Sequence, residues 1–368
     1  MALPSLIPKL QYLPLVSQLL GWFDTHARPL PWRLSRDPYA IWISEIMLQQ
    51  TQVKTVIPYW TRWMNSLPDV NSLAAASEDQ VLKLWEGLGY YSRARNLQKA
   101  ARKISVRTDG CFPRSLADLL DLPGVGPYTA GAIASIAFDQ PEPILDGNVI
   151  RVLTRLLALS GDPKSKAINQ QLWTTASALV KEANVASRCG TQRCARFNQA
   201  LMELGAIVCT PNQPLCHLCP WLSHCAAQRL GQAQHFPETP PRPPTTPRFF
   251  ATALLSSSGR FLLRKRTTVE VNAGLWEFPN LETEPDANPI NQLEDWLGLP
   301  SLKWVRKADL RHSITRYRIT QRILVAEASP DLRGLPSEWL WVAPNDLQHF
   351  ALTGPHRRLV QRLRLDSA

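Results

Sequence analysis

The chain has 368 residues, 45% of them apolar, and a formal net charge of +11. That length exceeds what one hydrophobic core organises, so two domains are expected, and the basic balance suits either a polyanionic partner such as nucleic acid or a merely basic enzyme. No run of about 18 uninterrupted apolar residues occurs, and the opening stretch holds Pro4, Pro8 and Pro14 without a basic start or small-residue cleavage site, which argues against a membrane span and a secretory signal.

Residues 1–230 read as a mainly α domain. The stretch YAIWISEIMLQQTQV at 39–53 reads as one strongly apolar helix. Apolar residues then recur at helical spacing in Leu73–Leu84, Leu97–Val106, Leu116–Leu120, Ala130–Phe138, Val149–Leu159, Leu172–Val180 and Phe197–Val208. Residues 231–247 carry Pro237, Pro240, Pro241, Pro243, Pro244 and Pro247. Proline removes backbone donors and stiffens the chain, so this segment reads as an extended linker. From 248 to 368 the pattern becomes α+β. Phe249–Leu255 and Arg260–Arg264 flank the turn Ser256–Gly259 as a hairpin. Tyr317, Ile319, Ile323 and Val325 alternate with Arg316, Arg318, Thr320 and Arg322 as a half-buried strand, and Trp339–Val342 reads as another. Pro355 after Gly354 opens a closing helix at His356–Leu365.

Four of the seven cysteines follow the spacing C-x6-C-x2-C-x5-C: Cys209, Cys216, Cys219 and Cys225. Four thiolates bind either an iron–sulfur cluster or zinc. Two C-x2-C knuckles separated by a longer loop would be more usual for zinc. One compact run, held out of helix by Pro211, Pro214 and Pro220, fits a single cuboidal cluster better. His217 and His224 are not needed as ligands. Cys111 reads as a buried small hydrophobe, and Cys189 and Cys194 as part of a polar surface loop.

The segment LPGVGPYTAG at 122–131 joins two helices through Gly124, Val125 and Gly126. Glycines free the turn and expose N–H groups, which with the next helix N-terminus make an anion site. No strand precedes it, so a dinucleotide fingerprint is rejected. An ordinary helix–turn–helix corner is the plainer alternative.

Two carboxylates lie in unusual surroundings. Glu45 has Ile41 and Leu48 on its helical face, and desolvation there would raise its pKa, as a general acid at neutral pH requires. The plainer alternative is a half-exposed glutamate paired with a base. Asp146, in ILDGNV, precedes an apolar helix as its N-cap. A capped aspartate held ionised could stabilise a cationic transition state.

The cysteine run, LPWR at 30–33, SEIMLQQTQVKTVIPY at 44–59, LWEGLGYYSRARNL at 84–97, LPGVGPYTAG and ILDGNV together resemble the bacterial adenine DNA glycosylases (MutY type) of the endonuclease III, or helix-hairpin-helix, superfamily. The resemblance spans nearly the whole chain. It implies one 4Fe–4S cluster on the four cysteines. It implies that Glu45 protonates adenine at N7 and that Asp146 steadies the oxocarbenium ion, with Tyr128 and Asn148 in the same group. Trp32, Arg33, Leu48 and Glu203 would line the adenine pocket. Gln49, Gln50, Thr51, Leu88, Tyr90, Gly124, Val125 and Gly126 would contact DNA, with Gln50 and Tyr90 filling or wedging the stack. A core position is the plainer reading of Tyr90. Endonuclease III carries a lysine nucleophile where this chain has Tyr128. A phenol cannot form a Schiff base, so a monofunctional glycosylase is expected.

Segment GLWEFPN at 274–280 resembles the Nudix-like domain of the same family, which reads 8-oxoguanine opposite the adenine. Only Glu294 and Asp295 occur where a hydrolytic Nudix box carries its run of glutamates, so hydrolase chemistry is expected to be lost. Ile314-Thr315-Arg316 stands where the family has Phe-Ser-His, leaving Thr315 for 8-oxoguanine recognition. The expectation is therefore a monomeric enzyme of the bacterial cytoplasm, at the nucleoid, acting on double-stranded DNA with A opposite 8-oxoguanine or G and without membrane contact. The rivals are a bifunctional endonuclease III-like enzyme, a cluster-bearing DNA binder and a nucleotide-pool Nudix hydrolase.

Overall fold

A computed structural model describes residues 12–108, 110–185, 193–241, 243–285, 288–299, 301–329, 336 and 338–363. The chain divides into two compact units, Met1–Ala75 with Lys99–Pro241 and Ala76–Gln98 with Arg242–Ala368. Its helices begin with α1 (Tyr12–His26), α2 (Pro38–Leu48), α3 (Val53–Ser66), α4 (Val70–Ala75), α5 (Glu78–Trp85) and α6 (Ser92–Thr108). They continue with α7 (Leu116–Leu120), α8 (Pro127–Phe138), α9 (Gly147–Leu157), α10 (Lys166–Val185), α11 (Arg193–Ile207) and the single turn α12 (Ala226–Arg229). Helix α5 and the start of α6 belong to the second unit. Among the described residues no helix is long and apolar enough to cross a membrane.

In the first unit α11 lies against α1, α8, α9 and α10, and α2 lies against α3 and α8. Helix α2 is buried from Tyr39 to Met47, as expected of a helix apolar on every side. Asp37 starts it by accepting from the Tyr39 and Ala40 amides, with Pro38 at its first position. The helix ends at Leu48, short of the 39–53 expected, because Gln50 takes a left-handed φ of 60° and Val53 opens α3. The expected helix over Leu73–Leu84 is two helices. Ser77 breaks it, its hydroxyl accepting from the Gln80 amide as the cap of α5. Helices α1 and α3 were not anticipated: Pro14 and Pro58 lie within them.

Two glycines allow close approach. A Cβ on Gly131 of α8 would stand 2.1 Å from the Pro143 carbonyl oxygen, and one on Gly205 of α11 would stand 2.6 Å from Asn148 Cβ. The second approach presses α11 onto the start of α9, where the site lies.

The second unit holds strands β1 (Thr246–Ser257), β2 (Arg260–Lys265), β3 (Trp276–Glu277), β4 (Asn280–Thr283), β5 (Val305–Ile314), β6 (Tyr317–Glu327) and β7 (Trp339–Val342), with helices α13 (Pro289–Leu297) and α14 (Gly354–Leu363). The sheet runs β3-β2-β1-β6-β5, with β4 also pairing β1 and β7 also pairing β2. Strands β1 and β6 are parallel, from Thr246 opposite Tyr317 to Ser256 opposite Glu327. Side chains alternate across the strands, and each face has its own core. Leu254, Leu263, Phe278 and Ile323 pack with Leu359 and Val360 of α14 on one face, and Ala251, Ala253, Leu255 and Leu324 pack with Leu293 of α13 on the other. Thr246 and Pro247, read as the end of the linker, already belong to β1.

Two cysteine expectations are corrected. Cys111 is exposed rather than buried. Cys194 is buried in the first turn of α11, its thiol pushed up to about 12 by burial and by the charge of Asp139. Cys189 lies outside the described residues.

Candidate active site

A cavity of about 690 Å³ opens in the first unit between the segment after α1, the ends of α2 and α3, and helices α8, α9 and α11. Trp32, Arg33, Glu45, Leu48, Gln49, Thr51, Tyr128, Asp146, Asn148 and Glu203 all line it. Residues from five separate segments of sequence thus meet at one place.

Glu45 is 4% exposed, one turn before the end of α2. Burial raises its carboxyl to about 7. The hydrogen bond from Tyr128 opposes that rise, the charge of Asp146 adds to it and the charge of Arg33 opposes it. The reading of a half-exposed glutamate paired with a base is therefore excluded. The Tyr128 hydroxyl lies 2.5 Å from Glu45 Oε2 and 3.3 Å from the Met202 sulfur. Burial, then the charges of Glu45 and Asp146, hold the phenol well above its ordinary pKa, so it stays a proton-bearing donor.

Asp146 is the N-cap of α9. Its Oδ1 accepts from the Val149 amide at 2.7 Å and its Oδ2 from the Asn148 side chain at 2.8 Å. Asn148 Oδ1 in turn accepts from Arg151, which also donates to the carbonyls of Cys209 and Gly205. Asp146 is the N-cap that the sequence implies, and two opposed effects act on its charge. Burial shifts its pKa upward on balance, and the bonds from Val149 and Asn148 only moderate the shift.

Glu203 of α11 is 1% exposed and lines the same cavity. It accepts from the Arg28 amide, from Arg28 Nε at 2.7 Å and Nη2 at 2.8 Å, and from Arg33 Nη2 at 2.9 Å. Burial alone would raise its pKa, but these arginines hold it down to about 2. Arg28 is a site residue that the sequence reading missed. It sits two positions before LPWR, and its paired acid lies 175 positions away.

The other expected site residues lie elsewhere. Gly124 has φ +78° and Gly126 an extended φ of −96°, so only the first uses glycine's freedom. Both glycines are exposed, whereas the Val125 side chain is buried. Gln50 is exposed on the turn after α2. In the second unit Leu88 is buried between Gly87 and Gly89, its amide donating to the Trp85 carbonyl and its carbonyl accepting from Arg93. Tyr90 is 52% exposed on a left-handed φ of 48°, with the Arg93 guanidinium over its ring, so it is not a core aromatic. Thr315 occupies the two-residue turn between β5 and β6 with φ 51°, its hydroxyl donating to the Ile314 carbonyl.

Cys209 follows α11, Cys216 opens a 3-10 turn, and Cys219 and Cys225 bracket a second one. All four line one pocket, with Val152, Pro214 and Trp221. Among the described residues no three His, Cys, Asp or Glu side chains form a ready single-ion site. Arg155 of α9 is 2% exposed. It places Nη1 3.3 Å from Cys209 Sγ and donates to the carbonyls of Thr210, Pro211 and Phe236. Four thiols around one pocket, with a buried guanidinium at a sulfur, fit a thiolate-bound group of net negative charge.

The family model described as HhH-GPD superfamily base excision DNA repair protein matches residues 43–177, and a NUDIX domain model matches 251–362. The adenine DNA glycosylase of Mus musculus is 38% identical over 385 residues, covering 88% of this chain and 73% of that protein. The adenine DNA glycosylase of Buchnera aphidicola subsp. Schizaphis graminum (strain Sg) is 36% identical over 267 residues, covering 72% of this chain and 74% of its own. Among solved structures, a thermostable thymine-DNA glycosylase is 30% identical, with a TM-score of 0.52, over 60% of this chain and 97% of that one.

Proposed function

We infer that this chain, which belongs to the adenine DNA glycosylase family, removes adenine lying opposite 8-oxoguanine or G and leaves the DNA strand uncut. The family activity is hydrolysis of the N-glycosidic bond of adenine in base excision repair. The observation that carries the proposal is Glu45: a buried carboxyl whose pKa sits near 7, bonded to Tyr128, in the same cavity as Asp146.

In this reading the adenine leaves the duplex stack before reaction. Arg33 and Glu203, with Trp32 and Leu48, receive it. Glu45 donates its proton to adenine N7 as the bond between the base and C1′ breaks, and the bonding electron pair leaves with the base. The sugar becomes an oxocarbenium ion, stabilised by Asp146, which Asn148 and the α9 amide orient. Water adds at C1′ and gives its proton to the carboxylate left on Glu45, which restores the acid. Tyr128 holds Glu45 in place and, as a phenol, offers no amine for a Schiff base, which is the basis for monofunctional action. Gln49, Gln50, Thr51, Tyr90, the backbone at Leu88 and the turn at Gly124, Val125 and Gly126 contact the duplex. Thr315 meets the opposite base from the Nudix-like domain of residues 248–368. Action as a monomer on the DNA of a bacterial cytoplasm belongs to the same proposal.

Cys209, Cys216, Cys219 and Cys225 are assigned one 4Fe–4S cluster. When bound, it supplies a structural crosslink for the loop after α11. The pocket of four thiols and Arg155 supports this. Iron and acid-labile sulfide measured on purified protein test it, and zinc without sulfide would refute it.

The activity test is incubation with duplexes carrying A opposite 8-oxoguanine, G, C or T. Cleavage at the adenine only after alkali, and only opposite 8-oxoguanine or G, is the expected result. Cleavage without alkali would refute the monofunctional reading.

A further inference from the structure

A second cavity, of about 500 Å³, lies in the second unit between β5 and α14. Leu310, Arg311 and His312 of β5 line it, with Pro355, Arg358 and Arg362 among those from α14. Arg358 and Arg362 are one helical turn apart and so share a face. All three arginines are exposed, and none makes an ion pair with a described residue. No carboxylate is among the lining residues. His312 adds a ring Nδ1 sealed from solvent without a described hydrogen-bond partner.

Among the other exposed arginines Arg107 and Arg306 pair with Asp121 and Asp309, while Arg36, Arg62, Arg114 and Arg260 make no ion pair with a described residue, so what sets this place apart is the convergence of three on one concavity without a carboxylate. Three unpaired ones around one concavity, beside an unpartnered imidazole nitrogen, form a site whose charge is uncompensated. Guanidinium groups are weakly hydrated and match phosphate oxygens in pairs. Leu310 packs into the same core as Leu359 and Leu363 of α14, so strand and helix are fixed against each other and the concavity is preformed.

We propose that this cavity is a phosphate site that seats a backbone phosphodiester of duplex DNA on Arg311, Arg358 and Arg362. It is separate from the turn at Thr315, three residues further along the chain from His312. Its contribution is to affinity and not to base reading, since bonds to phosphate fix position without carrying sequence. The inference rests on DNA as the substrate but not on which mispair is cut. A phosphate group could also come from a free nucleotide, and the test separates the two.

The experiment uses the full chain with Arg358→Gln and Arg362→Gln combined. Both side chains are exposed, and a melting curve checks the fold. Duplex affinity is measured against salt, with and without a mispaired adenine. The expected result is weaker binding by the same factor on every duplex and a salt slope reduced by about 0.9 for each phosphate that the variant no longer neutralises. The single-turnover excision rate at saturating enzyme should stay at the wild-type value. An unchanged affinity and slope in the folded variant would overturn the proposal. Binding of dGTP or dATP that depends on these arginines, with duplex affinity unchanged, would overturn it in favour of a nucleotide site. Because intact duplex without a mispair also reports, a failure of the excision reading would not be mistaken for a failure of this one.

Discussion

The Tyr128 hydroxyl donates to Glu45 Oε2 at 2.5 Å, joining the first turn of α8 to the last turn of α2. This bond stabilises the ionised carboxylate and opposes the burial that lifts Glu45 to about 7. Tyr128→Phe removes the opposing influence, so Glu45 should keep its proton to higher pH. In the wild type, kcat/KM should fall as pH rises through about 7, because the acid must be protonated. In Tyr128→Phe that falling limb should move to higher pH. A limb that stays in place would show that another group titrates.

Glu45 also couples stability to pH. Its folded pKa of about 7 exceeds the ordinary 4.5, so the folded state holds a proton that the unfolded chain releases. The resulting stability is full below pH 4.5 and is lost as pH rises through 7. Glu45→Gln has no such loss. Unfolding measured at pH 5 and pH 8 should show the wild type losing roughly 3 kcal/mol relative to the variant. Parallel behaviour of the two proteins would contradict the burial of the carboxyl.

Glu203 has the opposite sign. Arg28 and Arg33 hold it down to about 2 against an ordinary 4.5. Its contribution is present above pH 4.5 and is lost as pH falls through about 2. Glu203→Gln should be less stable than wild type at neutral pH and should lose less on acidification between pH 5 and 2. Acid unfolding curves followed by circular dichroism measure this. Equal acid sensitivity would mean that the arginine pairs do not favour the folded state.

Gly205→Ala tests how Asn148 is positioned. The added Cβ would fall 2.6 Å from Asn148 Cβ and 3.0 Å from its carbonyl oxygen. Helix α11 or the start of α9 must shift, at about 1–3 kcal/mol of stability. Since Asn148 bonds Asp146, excision under single-turnover conditions should drop while duplex affinity holds. An unaltered rate would show that Asp146 tolerates the displacement.

Much of this was legible because chemistry and local structure coincide. Asp146 stands before Gly147 and an apolar helix, so its capping role could be read directly. Glu45 sits in a helix apolar on every side, so its burial could be read too. The helix over 73–84 was misread because periodicity continues across Ser77, whose hydroxyl makes a cap that spacing does not reveal. Strand β5 was missed because it is an edge strand, and VRKADLRHSI carries the charges typical of such edges. Nothing in the sequence sets Arg28, Arg151 and Arg155 apart from the other basic residues. Their roles depend on carboxylates, carbonyls and a sulfur brought in from other segments. Periodicity indicates which face is apolar but not which polar groups fold over it.

The most direct measurement is the single-turnover rate of adenine excision from a duplex with A opposite 8-oxoguanine, for wild type and Glu45→Gln, beside the duplex affinity of each. General acid catalysis is worth about 10²–10⁴-fold, so the variant should lose that much rate and keep its affinity. A folded Glu45→Gln protein that excises adenine at the wild-type rate would contradict the assignment of Glu45 as the acid.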